Sequence, residues 1–342
     1  MVIFKRVLFW GAFCVFLLLG TREANKIGQF SPVSLRFDTP VCGEAAHRAR
    51  QFSIYEGDTF WPTFWSESQA ELSAGARTAY VNAISFSGDA TLVWPTTYIA
   101  GTAPGSVDIN GIAVSYALAH RLWGSIDIIG QTVYVEESSR IVRGVFEGST
   151  ELALISFHIE DVSQSWTVVE LSGGMAHPTR RDAEQFAIFS GLGAPDYVIM
   201  GGALALARFV SLLPVLVLAA HGAVWIFIQT PTSARYAGLI MIALSLPLVL
   251  NALPPWLIPN RWSDFSFWAN LTQNANDGIR EFFGINPTLR DVELKIHLLR
   301  QMVIGVIGAM LATTQIAALQ ARQKYGVGEK ILNARGLRPR EL

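Results

Sequence analysis

Apolar residues are spread unevenly along this chain of 342 residues. Three long runs fall in the last 145 residues and a shorter run opens the chain, with a mostly polar stretch between. Phe209–Ile228 contains no charged residue. About 20 residues rising roughly 1.5 Å each cross a hydrocarbon core of about 30 Å. The run Tyr236–Ile258 follows after a short polar link, Gln229–Arg235. Its Pro247, Pro254 and Pro255 predict a kink and a frayed outer end. Met302–Leu319 is rich in Gly, Ala and Thr, small residues that suit close helix contact. The opening run, Val7–Gly20, has the length of a signal-peptide core as well as of a span. No A-x-A site follows it, and Ile3 and Phe4 extend it, so an uncleaved first helix is expected.

Basic residues orient these runs. Arg322, Lys324, Lys330, Arg335, Arg338 and Arg340 crowd the C-terminal tail, Lys5 and Arg6 precede the first run, and Arg235 sits in the link. An excess of Lys and Arg marks the cytoplasmic side, and four spans place all three groups there. The expected organisation is a first helix in 1–20, an extracytoplasmic α+β core in 21–198, and a stalk with the second helix in 199–229. The third helix occupies 236–258, an outer loop 259–300, the fourth helix 301–320 and a basic cytoplasmic tail 321–342. The fold class expected is therefore an integral membrane, four-span α-helical bundle with a large α+β domain between helices one and two.

Within the outer stretch, residues 21–75 read as irregular and mixed. The aromatic segment Phe60-Trp61-Pro62-Thr63-Phe64-Trp65 reads as a helix start or core corner, or else as an aromatic surface for lipid or a partner. From Thr78 the pattern turns strand-like, in TAYVNAISFSG and ATLVWPTTYIAG. Val114–Trp123 reads as a helix, with Ser115 as its cap and Gly124 closing it. Gln131–Glu136 and Arg140–Phe146 alternate as two strands of a hairpin turning at Glu137-Ser138-Ser139. Residues 152–157 and 166–171 add strands, and Thr179–Gly191 reads as a helix.

One segment carries more than periodicity. Leu122-Trp123-Gly124, then Asp127 and Gly130 leading to Val133, then Val142, Gly144 and Val145, follow one another across 110–147. This resembles the extracytoplasmic core domain of the MacB/FtsX-type ABC transporter permeases, as does the layout of one helix, an outer domain and three more helices. The resemblance implies a subunit that couples a separate cytoplasmic ABC ATPase to an outer domain, exporting or extruding a substrate, as a homodimer or with a second permease. In that reading Arg235, Arg322 and Lys324 face the ATPase, and ATP hydrolysis belongs to the partner, not to this chain. The sequence departs from the family at the link between helices two and three, which is only Gln229–Arg235 here. The alternative is a non-transporting sensor or accessory protein with the same outer domain.

The remaining chemistry is sparse. No G-x-x-x-x-G-K-[ST] loop occurs, and the six histidines have no metal-ligand spacing, so no cofactor or metal is expected. His221 lies inside an apolar span and is a candidate for an intramembrane polar role as well as a packing residue. Gly305, Gly308, Ala309 and Ala312 form a small-residue face, for the chain's own helices or for a dimer. Cys14 and Cys42 fall in different regions, so the outer domain must stand without a disulfide. Residues 21–198 carry 11 Lys and Arg against 20 Asp and Glu, a net −9 that argues against nucleic acid. Membrane lipid is the remaining partner expected.

Overall fold

A computed structural model describes residues 2–30, 33–56, 60–161, 164–173, 180–200, 202–229, 265, 284 and 287–334. The third apolar run, 236–258, and Arg235 lie outside the described residues. The chain divides into two compact units. One comprises Gly28–Gly202 and Pro259–Leu294, the other Met1–Ile27, Ala203–Ile258 and Lys295–Leu342.

The first unit is α+β. In chain order it contains β1 (Val33–Cys42), α2 (Gly43–Glu56), β2 (Phe60–Ala74), β3 (Arg77–Ser87), α3 (Ala90–Val93), β4 (Tyr98–Gly101), β5 (Gly111–Ser115) and α4 (Tyr116–Leu122). Then follow β6 (Thr132–Val135), β7 (Ser138–Phe146), β8 (Leu152–Ser156), β9 (Ser165–Gly173), α5 (Arg180–Phe189) and β10 (Tyr197–Met200). The helix before it, α1, spans Val2–Ile27 and belongs to the second unit. The strands form one sheet in the order β10-β1-β9-β2-β3-β8-β5-β7-β4, and β6 pairs with both β2 and β7. Through β6 the strands β2, β3, β8, β5, β7 and β6 close on themselves. Most neighbours are antiparallel; β3 with β8 and β5 with β7 are parallel.

Three apolar clusters hold this unit together. Val33, Leu35, Phe60, Phe64, Trp166 and Leu171 pack under α2 and α5, where Phe186 meets Phe52 and Phe60 edge-on. Leu72, Val81, Ile112, Val114, Val133, Val142 and Val145 fill the closed ring, with Leu118 and Leu122 of α4 against them. Trp65, Ile84, Phe86, Phe146 and Leu154 form the third cluster, under α3.

The region expected to be irregular is β1–α2–β2. The segment FWPTFW is neither a helix start nor irregular; it opens the longest strand, with Phe60, Phe64 and Trp65 buried and Trp61 half exposed. Pro62 is tolerated because at that level β2 pairs only with β9 (Pro62↔Leu171), its pairing to β3 beginning at Phe64. Pro40 of β1 falls within the register shift between Arg36 and Val41. ATLV is not a strand but a helical turn, begun by Asp89, whose carboxylate accepts from Thr91 N at 2.9 Å. Val114 belongs to β5, and Ser115 caps α4 by accepting from Leu118 N at 3.3 Å. The β6–β7 turn is tighter than expected: Val135 pairs with Ser138, leaving Glu136 and Glu137, and Glu136 takes φ 53°.

In the second unit, α1, α6 (Gly202–Gln229) and α7 (Leu289–Ala334) are described; α7 runs for 46 residues, its first six belonging to the first unit. Its segment Leu289–Thr314, with mean hydropathy 1.6, is long and apolar enough to cross a membrane by length and composition. The apolar part of α6 described here, Leu206–His221, is shorter. Phe13 of α1 and Ala312 of α7 are buried together with Val217 and Leu218 of α6 around them.

Candidate functional site

The most chemically demanding place in the molecule is a cluster of buried charges where residues 287–294 return to the sheet. Thr288, Leu289, Arg290 and Asp291 begin α7, and a reciprocal cap starts it. Thr288 Oγ1 accepts from Asp291 N at 3.2 Å, and Asp291 Oδ2 accepts from Thr288 N at 3.1 Å and from its hydroxyl at 2.8 Å. With its backbone set in this way, the first turn presents two side chains of opposite charge to the sheet.

Asp291 meets Arg36 of β1, Nη2 to Oδ1 at 2.7 Å. Arg290 meets Glu170 of β9, Nη1 to Oε1 at 2.5 Å, and donates from Nη2 to the Leu92 carbonyl at 2.9 Å. The same Glu170 oxygen accepts from Ser34 Oγ at 2.9 Å and Trp65 Nε1 at 3.2 Å. Trp65 also lies under both cations, with Arg36 Cζ 5.3 Å and Arg290 Cζ 5.9 Å from its ring. Phe30 covers Arg290 from another side at 5.2 Å. Glu67 of β2 accepts the Leu289 N–H at 2.9 Å.

All four charged partners are sealed from water: Glu170 is 0 % exposed, Arg290 3 %, Arg36 and Asp291 5 %. Burial pulls the Arg290 guanidinium below its ordinary value; Glu170 opposes that fall and Arg36 adds to it. An arginine starts so high that it stays protonated. Burial raises the Glu67 carboxyl; the Leu289 N–H and Arg36 oppose the rise and Asp291 reinforces it. Glu170 Oε2, Arg36 Nε and Arg290 Nε make no hydrogen bond among the described residues. Desolvating these groups costs more than an apolar filling of the same volume would. What the cluster provides is a single geometry for the start of α7.

The motif residues singled out in 110–147 lie together in a different part of the sheet. Leu122 is buried, and the Trp123 and Gly124 amides close α4 on Ala119 and His120 carbonyls at 2.9 Å, Gly124 at φ 73°. Asp127 is exposed, its amide held by Ser125 Oγ at 3.0 Å. Gly130, at φ 83°, donates to the Val142 carbonyl at 2.8 Å. At Gly144 an added Cβ would lie 2.3 Å from the Thr102 carbonyl oxygen and 2.7 Å from the Tyr98 ring, so β4 and β7 approach this closely only with glycine there. Val142 and Val145 are core residues. Apart from the exposed Asp127, these residues contribute turn backbone and core packing.

In the helical unit, an added Cβ on Gly305 would fall 2.3 Å from Val210 Cγ1, and one on Gly308 2.7 Å from Pro214 Cγ. The glycines thus bring α7 against α6, with Ala312 buried and Ala309 half-buried along the same helix. His221 is half-buried on α6, while Arg322 and Lys324 fall on α7. Towards the start of α7 within this unit, His297 Nδ1 lies 2.7 Å from Glu23 Oε2 of α1, and Gln301 Nε2 donates to the Ala207 carbonyl of α6 at 3.1 Å.

Sequence reasoning passed over Arg36, Glu67, Glu170, Arg290 and Asp291. Signals existed: Arg36 and Glu170 are single charges inside apolar strands, VSLRF and WTVVEL, and Thr288-Leu-Arg-Asp291 has the spacing of a capping box.

No protein-family model matches the chain, and no curated protein matches it. Solved structures similar to it include the extracellular domain of the ABC-type transporter YknZ from Gram-positive bacteria, at 10 % identity and TM-score 0.40. That match covers 49 % of this chain and 97 % of that one. The periplasmic region of MacB from Actinobacillus actinomycetemcomitans is similar at 9 % identity and TM-score 0.41, over 50 % of this chain and 88 % of that one. Identities of this size speak of fold alone, and TM-scores near 0.4 do not identify a function.

Proposed function

We propose that this chain is the membrane subunit of a permease-type complex, in which a cytoplasmic ABC ATPase acts on an outer α+β domain through the membrane helices. One observation carries the reading. The helix with the length and hydropathy to cross a membrane begins inside the sheet of the outer domain, its first turn fixed by Arg290–Glu170 and Asp291–Arg36. Force arriving along α7 meets a rigid, ion-paired seat rather than a free linker. The chain crosses the bilayer four times, with 21–198 and 259–300 outside and the basic tail 321–342 in the cytoplasm. Arg235, Arg322 and Lys324 face the ATPase, and a second copy or a related permease completes the complex. The substrate is exported or extruded, and hydrolysis belongs to the partner.

Affinity purification of the full chain from its native membrane tests this. The expected result is co-purification of a nucleotide-binding subunit, reduced by Arg235→Glu. A complex that never contains an ATPase overturns transport. The second reading, a non-transporting sensor or accessory subunit, is favoured by the short link Gln229–Arg235, which leaves little chain to rest on an ATPase. Sidedness is tested separately: an impermeant thiol reagent on intact cells should reach Cys42, which is exposed.

A further inference from the structure

Past Glu67, the outward side of β2 takes no part in the charge cluster. Along β2 and β3, buried Ala70, Leu72, Ala79 and Val81 alternate with outward positions, and the register sets Gln69 opposite Asn82 and Glu71 opposite Tyr80. β6 continues that side, with Tyr134 opposite Ser73. Tyr80 is 66 % exposed and Tyr134 50 %. Two strand spacings and two residues along the strand separate them, so their Cα atoms stand roughly 12 Å apart. The six outward positions here, Gln69, Glu71, Ser73, Thr78, Tyr80 and Asn82, include one charged residue, so charge is not what this face offers.

Beside Tyr80 the face dips into a shallow cavity of about 420 Å³, whose polar lining is Gln69, Tyr80, Asn82, Ser149, Thr150 and Glu151. That volume falls in the range of small-ligand sites, about 300–1,000 Å³. Two amides, two hydroxyls and a phenol meet there, and none of these side chains makes a hydrogen bond among the described residues. Glu151 is held by Arg121, so the lining presents no unpaired charge. A phosphate or carboxylate ligand needs a free arginine or lysine, which the lining lacks. An apolar ligand needs a greasy hollow, and Val81 is the single aliphatic residue in the lining. Amides and hydroxyls both donate and accept, which matches a ligand made of hydroxyl groups. An exposed phenol adds a flat apolar ring with a polar tip, a surface on which the C–H face of a pyranose can lie. The second tyrosine, further along the same side, gives the face a reach longer than one sugar.

We propose that this face, from the cavity to Tyr134, binds an uncharged, extended oligosaccharide. Tyr80 takes one sugar ring and Tyr134 another, while Gln69, Asn82, Ser149 and Thr150 hydrogen-bond the hydroxyls. The site lies wholly within the first unit and stands apart from the ATPase reading.

The test uses the full chain in phosphatidylcholine nanodiscs free of sugar-based detergent, titrated by calorimetry with cellohexaose and with chitohexaose, both uncharged and extended. At least one of the two is expected to bind. Tyr80→Ala and Tyr134→Ala should each weaken that binding about tenfold. Asn82→Ala should weaken it too, and Tyr55→Ala, an exposed tyrosine on α2, should leave it unchanged. Unchanged thermal midpoints show that the variants, all at exposed or half-exposed positions, still fold. No binding of either oligosaccharide at millimolar concentration overturns the proposal, as does binding that survives Tyr80→Ala. A loss with Tyr80→Ala and none with Tyr134→Ala overturns the two-ring arrangement. Displacement of the bound oligosaccharide by an uncharged Gly-Ser-Asn peptide at equal concentration assigns the face to polypeptide and overturns the carbohydrate class.

Discussion

Helix α7 is held at two places by opposite physics. Its first turn is seated by directional, fully buried ion pairs to Arg36 and Glu170. Its middle is seated by absence of side chain, Gly305 and Gly308 letting Val210 and Pro214 of α6 approach. An ion-pair seat has one geometry, because each charge left unpaired in the interior costs several kcal/mol. At the small-residue crossing close packing sets the geometry, with one neutral hydrogen bond, Gln301 to the Ala207 carbonyl, beside it. The difference teaches where substitution is most costly: at the first turn it strands a buried charge, whereas at the glycine crossing it only overpacks.

The sharpest way to break this contrast is Glu170→Ala. It strands Arg290 in the interior and should cost about 3–5 kcal/mol, read as a lowered thermal midpoint of the outer unit. Replacing both partners, Glu170→Leu with Arg290→Met, should recover most of that loss while loosening the attachment of α7. Next is Gly305→Val, whose new side chain meets Val210 where there is no room; overpacking of this kind costs about 1–3 kcal/mol. Its effect should appear in helix crosslinking between α6 and α7 and leave the outer unit's unfolding unchanged. If Gly305→Val lowered the outer unit's midpoint as far as Glu170→Ala does, the two seats would not be distinct. Thr288→Ala removes half of the reciprocal cap and should cost about 1 kcal/mol.

The smallest effect is in pH dependence. Burial raises the Glu67 carboxyl in the folded state. The folded protein therefore takes up this proton more readily than the unfolded chain does. The resulting stability is fully present below the ordinary carboxylate range and is lost as pH rises through the raised folded value. Glu67→Gln should flatten the difference in that window: slightly more stable than the parent at neutral pH, equal in acid. Chemical unfolding at a series of pH values measures it. A difference that grew towards acid pH would contradict the assignment.

What could be read in the chain, and what could not, follows the range of the interactions. α4 with its Ser115 cap and Gly124 stop, and the β6–β7 hairpin, depend on neighbours a few residues apart, so periodicity and turn chemistry reveal them. β2 does not reveal itself because its first half is buried on both faces, which removes the alternation that marks a strand, and Pro62 reads as a breaker. Of the small-residue face on α7, a repeat of Gly and Ala is visible along one helix. The pairing within the charge cluster is not, because Arg36 and Asp291 are 255 residues apart and the local signal at each names no partner.

That separation has a consequence for how the molecule is made. Translation delivers Arg36 and Glu170 first, and their counterions follow 255 and 120 residues later. Until Arg290 and Asp291 are made, Glu170 and Arg36 lack the partners that neutralise them in the folded unit. A chain truncated before residue 288 leaves both charges without their partners and is expected to be cleared rather than to accumulate.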